Sequence, residues 1–192
     1  MKAASLILIA ITLSASDLLA QTRKGTPDYF VLQYAGSIGY ISAGIGYDII
    51  KSRARTSVHF GTVPKNQGGP LNVFCGKFFY IPWNIRVTDR TYFRPADIGF
   101  MASYHMGEDF KQSVPDYFSG SNYYWWHTSL RLHLATETSF SVKMEPNRFF
   151  NSVTGYIEFN VNDLYLISYI SNARTLDISE LVKGGVGARF NF

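Results

Sequence analysis

The sequence has little of what builds disulfide-linked, zinc-binding or helical membrane proteins. Cys75 is the one cysteine among 192 residues, so neither an internal disulfide nor a cysteine-based zinc site is predicted. Beyond residue 20 there is no run of 18 apolar residues, which excludes a transmembrane helix. The net charge of +4 is modest, and it comes without a basic tract or a nucleic-acid motif. We therefore predict no nucleic-acid partner.

Histidine is also scarce, and its spacing does not suit a metal ion. No His-x-His or His-x3-His pair with acidic neighbours occurs among His59, His105, His127 and His133. The sequence thus predicts neither a metal site nor a cofactor. The abundant residues are instead Tyr, Phe and Gly, at 13, 15 and 16 copies, a composition that favours strands with aromatic girdles.

The N-terminal residues have the pattern of a secretory signal peptide. Lys2 supplies a charged start, residues 6–13 are apolar, and small residues follow at positions 14–16 and at Ala20. Cleavage after Ser16 and cleavage after Ala20 both remain open. We expect residues 1–20 to be the leader and residues 21–192 to form one domain.

The last eleven residues alternate strictly between apolar and polar. From Val182 the even positions are Val, Gly, Val, Ala, Phe and Phe, and the odd positions are Lys, Gly, Gly, Arg and Asn. This alternation predicts a strand with one apolar and one polar face. The ending resembles the terminal strand of bacterial outer-membrane β-barrels, which finishes on an aromatic residue. That resemblance implies that Phe190 and Phe192 serve as an assembly signal for the barrel assembly machinery.

Similar alternation recurs along the chain and predicts eight strands. They are residues 29–36, 40–49, 56–63, 72–83, 98–106, 123–140, 153–162 and 182–192. A change of phase at residues 37–39 favours a hairpin over a bulge, and residues 89–97 are expected to be a polar connection. Residues 164–170 fit either a strand or a short helix.

An even number of strands of this length predicts an all-β fold, a closed antiparallel transmembrane β-barrel in the bacterial outer membrane. If the C-terminus is periplasmic, the two longest links, near residues 107–122 and 163–180, both face outward, as the long loops of such barrels do. The alternative is a soluble barrel with apolar residues inside, which gives no reason for the terminal Phe.

The polar faces of these strands predict a charged interior. An eight-stranded barrel is only wide enough to be filled by side chains, so inward charges are expected to pair and an open pore is disfavoured. The candidate interior network consists of Asp48, Lys77, Arg131, Glu158, Lys183 and Arg189.

One short element suggests catalysis. His127 and Ser129 are two residues apart on one face, and Glu137 follows on the same face, so the three form a candidate Ser-His-acid set. This resembles the His-x-Ser element of outer-membrane lipid A 3-O-deacylases, which are eight-stranded barrels with a Ser-His-Glu triad. That family has Asn directly after the serine, where this chain has Leu130, and its acid lies farther along the chain.

The main functional prediction is an integral outer-membrane barrel of a Gram-negative bacterium, without enzymatic activity and in contact with outer-membrane lipids and lipopolysaccharide. Its working parts would be the loops at residues 107–122 and 163–179, whose Tyr, Asn and Ser content suits an extracellular glycan or protein ligand. The alternative is a lipid A acyl hydrolase that uses His127, Ser129 and Glu137.

Overall fold

The structure is a computed structural model that describes residues 25–106, 129–145, 149–163, 166 and 181–192. It confirms the predicted fold class, since eight antiparallel strands form a closed barrel and one short strand lies outside it. The strands are β1 (Tyr29–Ala35), β2 (Ile41–Ile49), β3 (Ala54–Val63), β4 (Leu71–Tyr80), β5 (Ile85–Arg86), β6 (Thr91–Met106), β7 (Leu130–Lys143), β8 (Ser152–Asn162) and β9 (Lys183–Asn191), with one 3-10 helix at Lys65–Gln67.

The barrel closes where its first strand, β1, pairs with its last strand, β9. The strand order is β4-β3-β2-β1-β9-β8-β7-β6-β5, and β4 also pairs with β6, so the two-residue β5 is attached to β6 alone. No helix among the described residues is long and apolar enough to cross a membrane.

The period of two in the sequence determines the two faces of the wall. In β1, Tyr29, Val31 and Gln33 are buried, whereas Leu32 and Tyr34 are exposed. The same alternation runs along β8, where Tyr156 is buried beside an exposed Ile157. Because successive side chains of a strand point to opposite faces, a strand with this pattern has one set of residues in the lumen and one on the outer surface.

The two ends of the barrel differ in what they carry. Tyr29 lies opposite Asn191 in the β1–β9 ladder, so the start of the first strand and the end of the last strand meet at one end, here called the terminal end. The opposite end, the loop end, carries the connections at residues 36–40, 64–70, 107–129 and 163–182. The predicted hairpin between β1 and β2 is confirmed.

Several predicted boundaries were wrong. Residues 89–97 are not a polar connection throughout, because β6 already begins at Thr91. β4 ends at Tyr80 rather than at position 83, and β7 extends to Lys143. The proposed start of β7 at residues 123–128 lies outside the described residues. So do residues 164–170, left open between strand and helix, apart from Leu166.

A β-bulge explains the error at the start of β6. Arg94 lies opposite Ser139 and Asp97 lies opposite Glu137, so three steps along β6 match two steps along β7. An extra residue reverses the alternation, which puts both Arg94 and Asp97 on the inner face. Pro95 lies within the bulge, one of the few positions in a sheet that tolerates a residue without an N–H donor.

The β1–β2 turn folds into the lumen at the loop end. Ile38 is fully buried and belongs to an apolar cluster with Cys75, Phe79, Met101 and Ala135. The turn passes so close to β3 that a Cβ atom on Gly61 would lie 1.7 Å from the carbonyl oxygen of Ile38. Only glycine therefore fits at position 61.

Candidate functional site in the barrel interior

The first group of interior charges joins four strands and has the Glu137 carboxylate at its centre. Arg189 donates two parallel hydrogen bonds to Glu137, with Nη1–Oε2 and Nη2–Oε1 distances of 2.8 and 2.7 Å. Arg55 lies 2.9 Å from the same carboxylate and donates to Asp97 Oδ2 at 2.6 Å. The residues come from β3, β6, β7 and β9, so this cluster ties together strands that do not all pair directly.

The second group surrounds the ammonium of Lys77. Its Nζ lies 2.6 Å from Glu158 Oε2 and donates to Gln33 Oε1 at 2.7 Å. Gln33 in turn donates to Glu158 at 3.1 Å and accepts a hydrogen bond from the Tyr156 hydroxyl at 2.8 Å. The Gln33 amide thus connects the Lys77–Glu158 ion pair to the Tyr156 hydroxyl.

The two groups are balanced in charge. Three cations face three carboxylates, namely Arg55, Lys77 and Arg189 against Asp97, Glu137 and Glu158, and all six side chains are buried. Removing a charge from water is costly unless a partner of opposite sign compensates it, so the balance is a condition for burial. The cavity left between these side chains has a volume of about 10 Å³, roughly enough for a single water molecule.

Aromatic rings cover the flat faces of the two arginines. The guanidinium carbon of Arg55 lies 4.8 Å from the centre of the Phe79 ring, and that of Arg189 lies 4.6 Å from the Tyr156 ring. A cation above an aromatic face is attracted by the ring electrons, more strongly where water is excluded. The rings therefore hold both guanidinium groups in place.

The structure places only some of the predicted interior residues in these groups. Lys77, Glu158 and Arg189 belong to them. Asp48 lies at the terminal end, where its backbone N–H donates to Asp28 Oδ2. Arg131 is half-buried near the loop end, and Lys183 is exposed at the first position of β9.

Sequence reasoning missed Arg55, Asp97 and Gln33. Arg55 lies outside the predicted strand at residues 56–63, although it is two positions before Ser57 on the polar face of that strand. Asp97 was assigned to a connection because Pro95 hid the strand. Gln33 carries no charge and was therefore not singled out, yet it contacts both members of the Lys77–Glu158 pair.

Two of the three candidate catalytic residues, Ser129 and Glu137, lie far apart along the chain and in different surroundings. Glu137 lies eight residues beyond Ser129 along the chain, roughly 26 Å at the usual rise of a strand. Its carboxylate is occupied by Arg55 and Arg189. His127 lies outside the described residues.

Two other Ser–His pairs are present, and both are in the interior. The Ser57 hydroxyl lies 3.0 Å from His59 Nε2, and the Ser103 hydroxyl lies 2.8 Å from His133 Nε2. In the described part of the chain, neither imidazole has a carboxylate hydrogen-bonded to its Nδ1 atom. Without an acid at Nδ1 and with both serines buried, neither pair has the geometry of a hydrolytic triad. No group of three metal-ligating side chains occurs in the described ranges.

The outer face of the barrel is apolar on every strand. Large apolar side chains on this face are 40–58% exposed: Leu32, Ile45, Val58, Phe60, Phe74, Ile98, Phe100, Leu134, Ile157, Phe159 and Val186. All the charged residues of the eight barrel strands lie at inner-face positions: Asp48, Arg55, Lys77, Arg94, Asp97, Arg131, Glu137, Lys143, Glu158, Lys183 and Arg189. The wall therefore has its polarity reversed relative to a barrel in water.

Comparison of the chain with protein-family models, with curated proteins and with solved structures gives no match. The eight-stranded antiparallel barrel is nevertheless an architecture compatible with an outer-membrane protein.

Proposed function

We propose that this chain is an integral outer-membrane β-barrel protein of a Gram-negative bacterium. One observation carries the proposal: every charged residue of the eight barrel strands is on the inner face, and large apolar side chains cover the outer face. In water this arrangement would expose a continuous apolar surface far larger than a soluble monomer tolerates. In a bilayer, lipid chains cover the same surface, and closing the barrel leaves no backbone group of an edge strand unpaired.

The proposed barrel has a plugged polar interior and does not conduct solutes. The ion pairs of Arg55, Lys77 and Arg189 cross the lumen, and the cavity among them holds about 10 Å³. Ile38 adds an apolar layer nearer the loop end. The width of an eight-stranded barrel leaves no room for a solute to pass such side chains.

The proposed role is interaction at the cell surface through the long connections. Residues 107–122 and 163–179 both belong to links that start and finish at the loop end. Their content of Tyr, Asn and Ser suits recognition of a glycan or a protein, because such residues combine contact area with hydrogen-bonding groups. Outer-membrane lipids and lipopolysaccharide would surround the wall.

An aromatic cluster at the terminal end fits recognition by the barrel assembly machinery. Phe149, Phe150, Phe190 and Phe192 have ring centres 4.9–5.9 Å apart in successive pairs. Phe149 and Phe192 are exposed. The last strand thus ends in an accessible apolar patch on the side of the barrel that would face the periplasm.

The test is the location and orientation of the protein in a Gram-negative host. We expect it in the outer-membrane fraction, with an electrophoretic mobility that changes on heating as a folded barrel unfolds. An epitope tag inserted in residues 107–122 should be accessible to antibody on intact cells. The same tag in the β2–β3 turn at Ser52, at the terminal end, should be accessible only after lysis.

Recovery in a soluble fraction would overturn the membrane assignment. Surface labelling of the tag at Ser52 alone would overturn the orientation. A surface-interaction role further requires that deleting residues 111–118 and 168–176 together abolishes binding of cells to immobilised glycans or host proteins while the barrel still folds.

A further inference from the structure

A second cavity of about 330 Å³ lies in the mouth of the barrel at the terminal end. Arg55, Arg189 and Thr154 in its lining are buried, while Ser52, Asn84 and Lys143 are exposed. The lining contains no aliphatic side chain. Small-molecule sites are usually mostly apolar, so this cavity is better suited to a polar occupant than to an apolar one.

The β-bulge in β6 builds one wall of the cavity. It turns Arg94 and Tyr92 to the inner face, opposite Ser139 and Ser141 of β7. Arg94 Nε donates to Asn84 Oδ1 at 3.3 Å, and Asn84 lies between β4 and β5. The bulge and the small outside strand thus position a guanidinium over the mouth.

Two cations of the lining form no close ion pair within the described ranges. Arg55 and Arg189 form ion pairs with Asp97 and Glu137, whereas neither Arg94 nor Lys143 lies within ion-pair distance of a described carboxylate. Lys143 Nζ lies 4.8 Å from the centre of the Tyr92 ring, which holds it at the rim. Asp48 is the one carboxylate of the lining.

Hydroxyl groups complete a set of hydrogen-bond donors. Ser52, Ser141, Ser152 and Thr154 line the cavity, and Thr154 Oγ1 donates to Ser141 Oγ at 2.9 Å. A phosphate group offers more acceptor oxygens than a carboxylate, and arginine, lysine and hydroxyl donors together satisfy such a group. We propose that the terminal-end cavity binds the phosphate group of a small molecule or of a lipid headgroup, with Arg94 and Lys143 as its main cationic contacts.

The test is isothermal titration of inorganic phosphate into the purified full-length barrel in a neutral detergent. We expect saturable binding whose dissociation constant rises about tenfold in Arg94→Gln, because a charge-assisted hydrogen bond is lost. Lys51→Gln is the matched control, since it removes one positive charge from the exposed β2–β3 turn outside the lining. That control should bind phosphate as the wild type does.

A variant that binds phosphate more tightly than the wild type cannot be explained by misfolding. Asp48→Asn removes the one carboxylate of the lining and should lower the dissociation constant of phosphate about threefold. Absence of saturable binding, an equal loss in Lys51→Gln and Arg94→Gln, or acetate competing as well as phosphate would each overturn the proposal.

Two competitors distinguish the possible sources of the phosphate group. Glycerol phosphate displacing inorganic phosphate from the barrel would identify a free small molecule. Displacement by phosphatidylglycerol in mixed micelles, with glycerol phosphate inactive, would identify a lipid headgroup. Either result supports the shared chemistry, and neither depends on the proposed cell-surface role.

Discussion

The inner and outer faces of this barrel are made by the same strands and obey opposite rules. On the inner face each charge of the two central groups meets a partner of opposite sign, as Lys77 meets Glu158 at 2.6 Å. On the outer face no residue of the eight barrel strands is charged, and side chains such as Phe100 and Leu134 are exposed. Because polar and apolar residues alternate along each strand, the wall has a charged interior and an apolar exterior.

The comparison teaches where stability should be sensitive to substitution. A buried charge depends on one or two specific partners, so loss of a partner is costly. The contribution of an outer-face residue depends mainly on the medium around it. Replacing one apolar residue there by another should therefore change the free energy of unfolding little, whereas introducing a charge should lower it. The predictions below follow from this difference.

The largest effect is expected at Glu137, which holds Arg189 and Arg55 together. Glu137→Gln leaves the Arg189 guanidinium buried without a charged partner and should lower the free energy of unfolding by about 3–5 kcal/mol. Urea unfolding of the barrel in detergent, followed by tryptophan fluorescence, measures this change in the free energy of unfolding. Glu145→Gln is the control, because the Glu145–Arg90 pair is exposed on both sides and should contribute less than about 1 kcal/mol. Equal effects of the two variants would contradict a central role for Glu137.

A somewhat smaller effect is expected for a charge on the outer face. Ile157 is at the centre of β8 and is 47% exposed. Under the proposed function, Ile157→Arg should destabilise the barrel in lipid by about 2–4 kcal/mol, because the guanidinium then lies near the middle of the bilayer. Folding from urea into lipid vesicles measures the change, with Ile157→Val as the apolar control. A change within about 0.5 kcal/mol, as at an ordinary water-exposed site, would place this face in water.

The same substitution on the two faces gives the third test. Ile38 is fully buried in the apolar cluster of the interior, whereas Ile41, three residues later, is exposed on the outer face. Ile38→Ala should cost about 2 kcal/mol, because it leaves a cavity under the inward turn. Ile41→Ala should cost less than about 1 kcal/mol, since lipid or detergent fills the space. A larger loss of stability in Ile41→Ala than in Ile38→Ala, in the same unfolding assay, would mean that the β1–β2 turn is not packed in the lumen.

The sequence predicted the faces of the strands well because period-two alternation is a local property. The inward positions of Lys77, Glu158 and Arg189 follow directly from it. Which charges meet across the lumen does not, since the partners depend on the stagger of strands that are far apart in sequence. The Lys77–Glu158 pair joins residues 81 positions apart, on strands that are not neighbours in the sheet.

Two other features were hidden for local reasons. The bulge at Pro95 reverses the alternation of β6, so a strict period predicted a connection where the chain continues as a strand. Ile38 lies in a turn, where alternation no longer indicates direction. Its burial follows instead from the close approach of the turn to Gly61 of β3, a contact between distant positions that no local pattern encodes.

The smallest effect is expected for a substitution of Ser129. It tests whether the barrel is an enzyme, because a lipid A hydrolase needs its nucleophile on the outer face. A hydrolase that acts on an acyl chain of lipid A needs its nucleophile where lipid can reach it, and Ser129 is buried while Glu137 is held by two arginines inside the lumen. We therefore expect mass spectrometry to find identical lipid A in cells expressing the wild type, Ser129→Ala or an empty vector. Loss of an acyl chain with the wild type alone would contradict this. Such a result would require a base other than His59 or His133 to activate Ser129. The Nε2 atom of each of these imidazoles is already hydrogen-bonded to another serine inside the barrel.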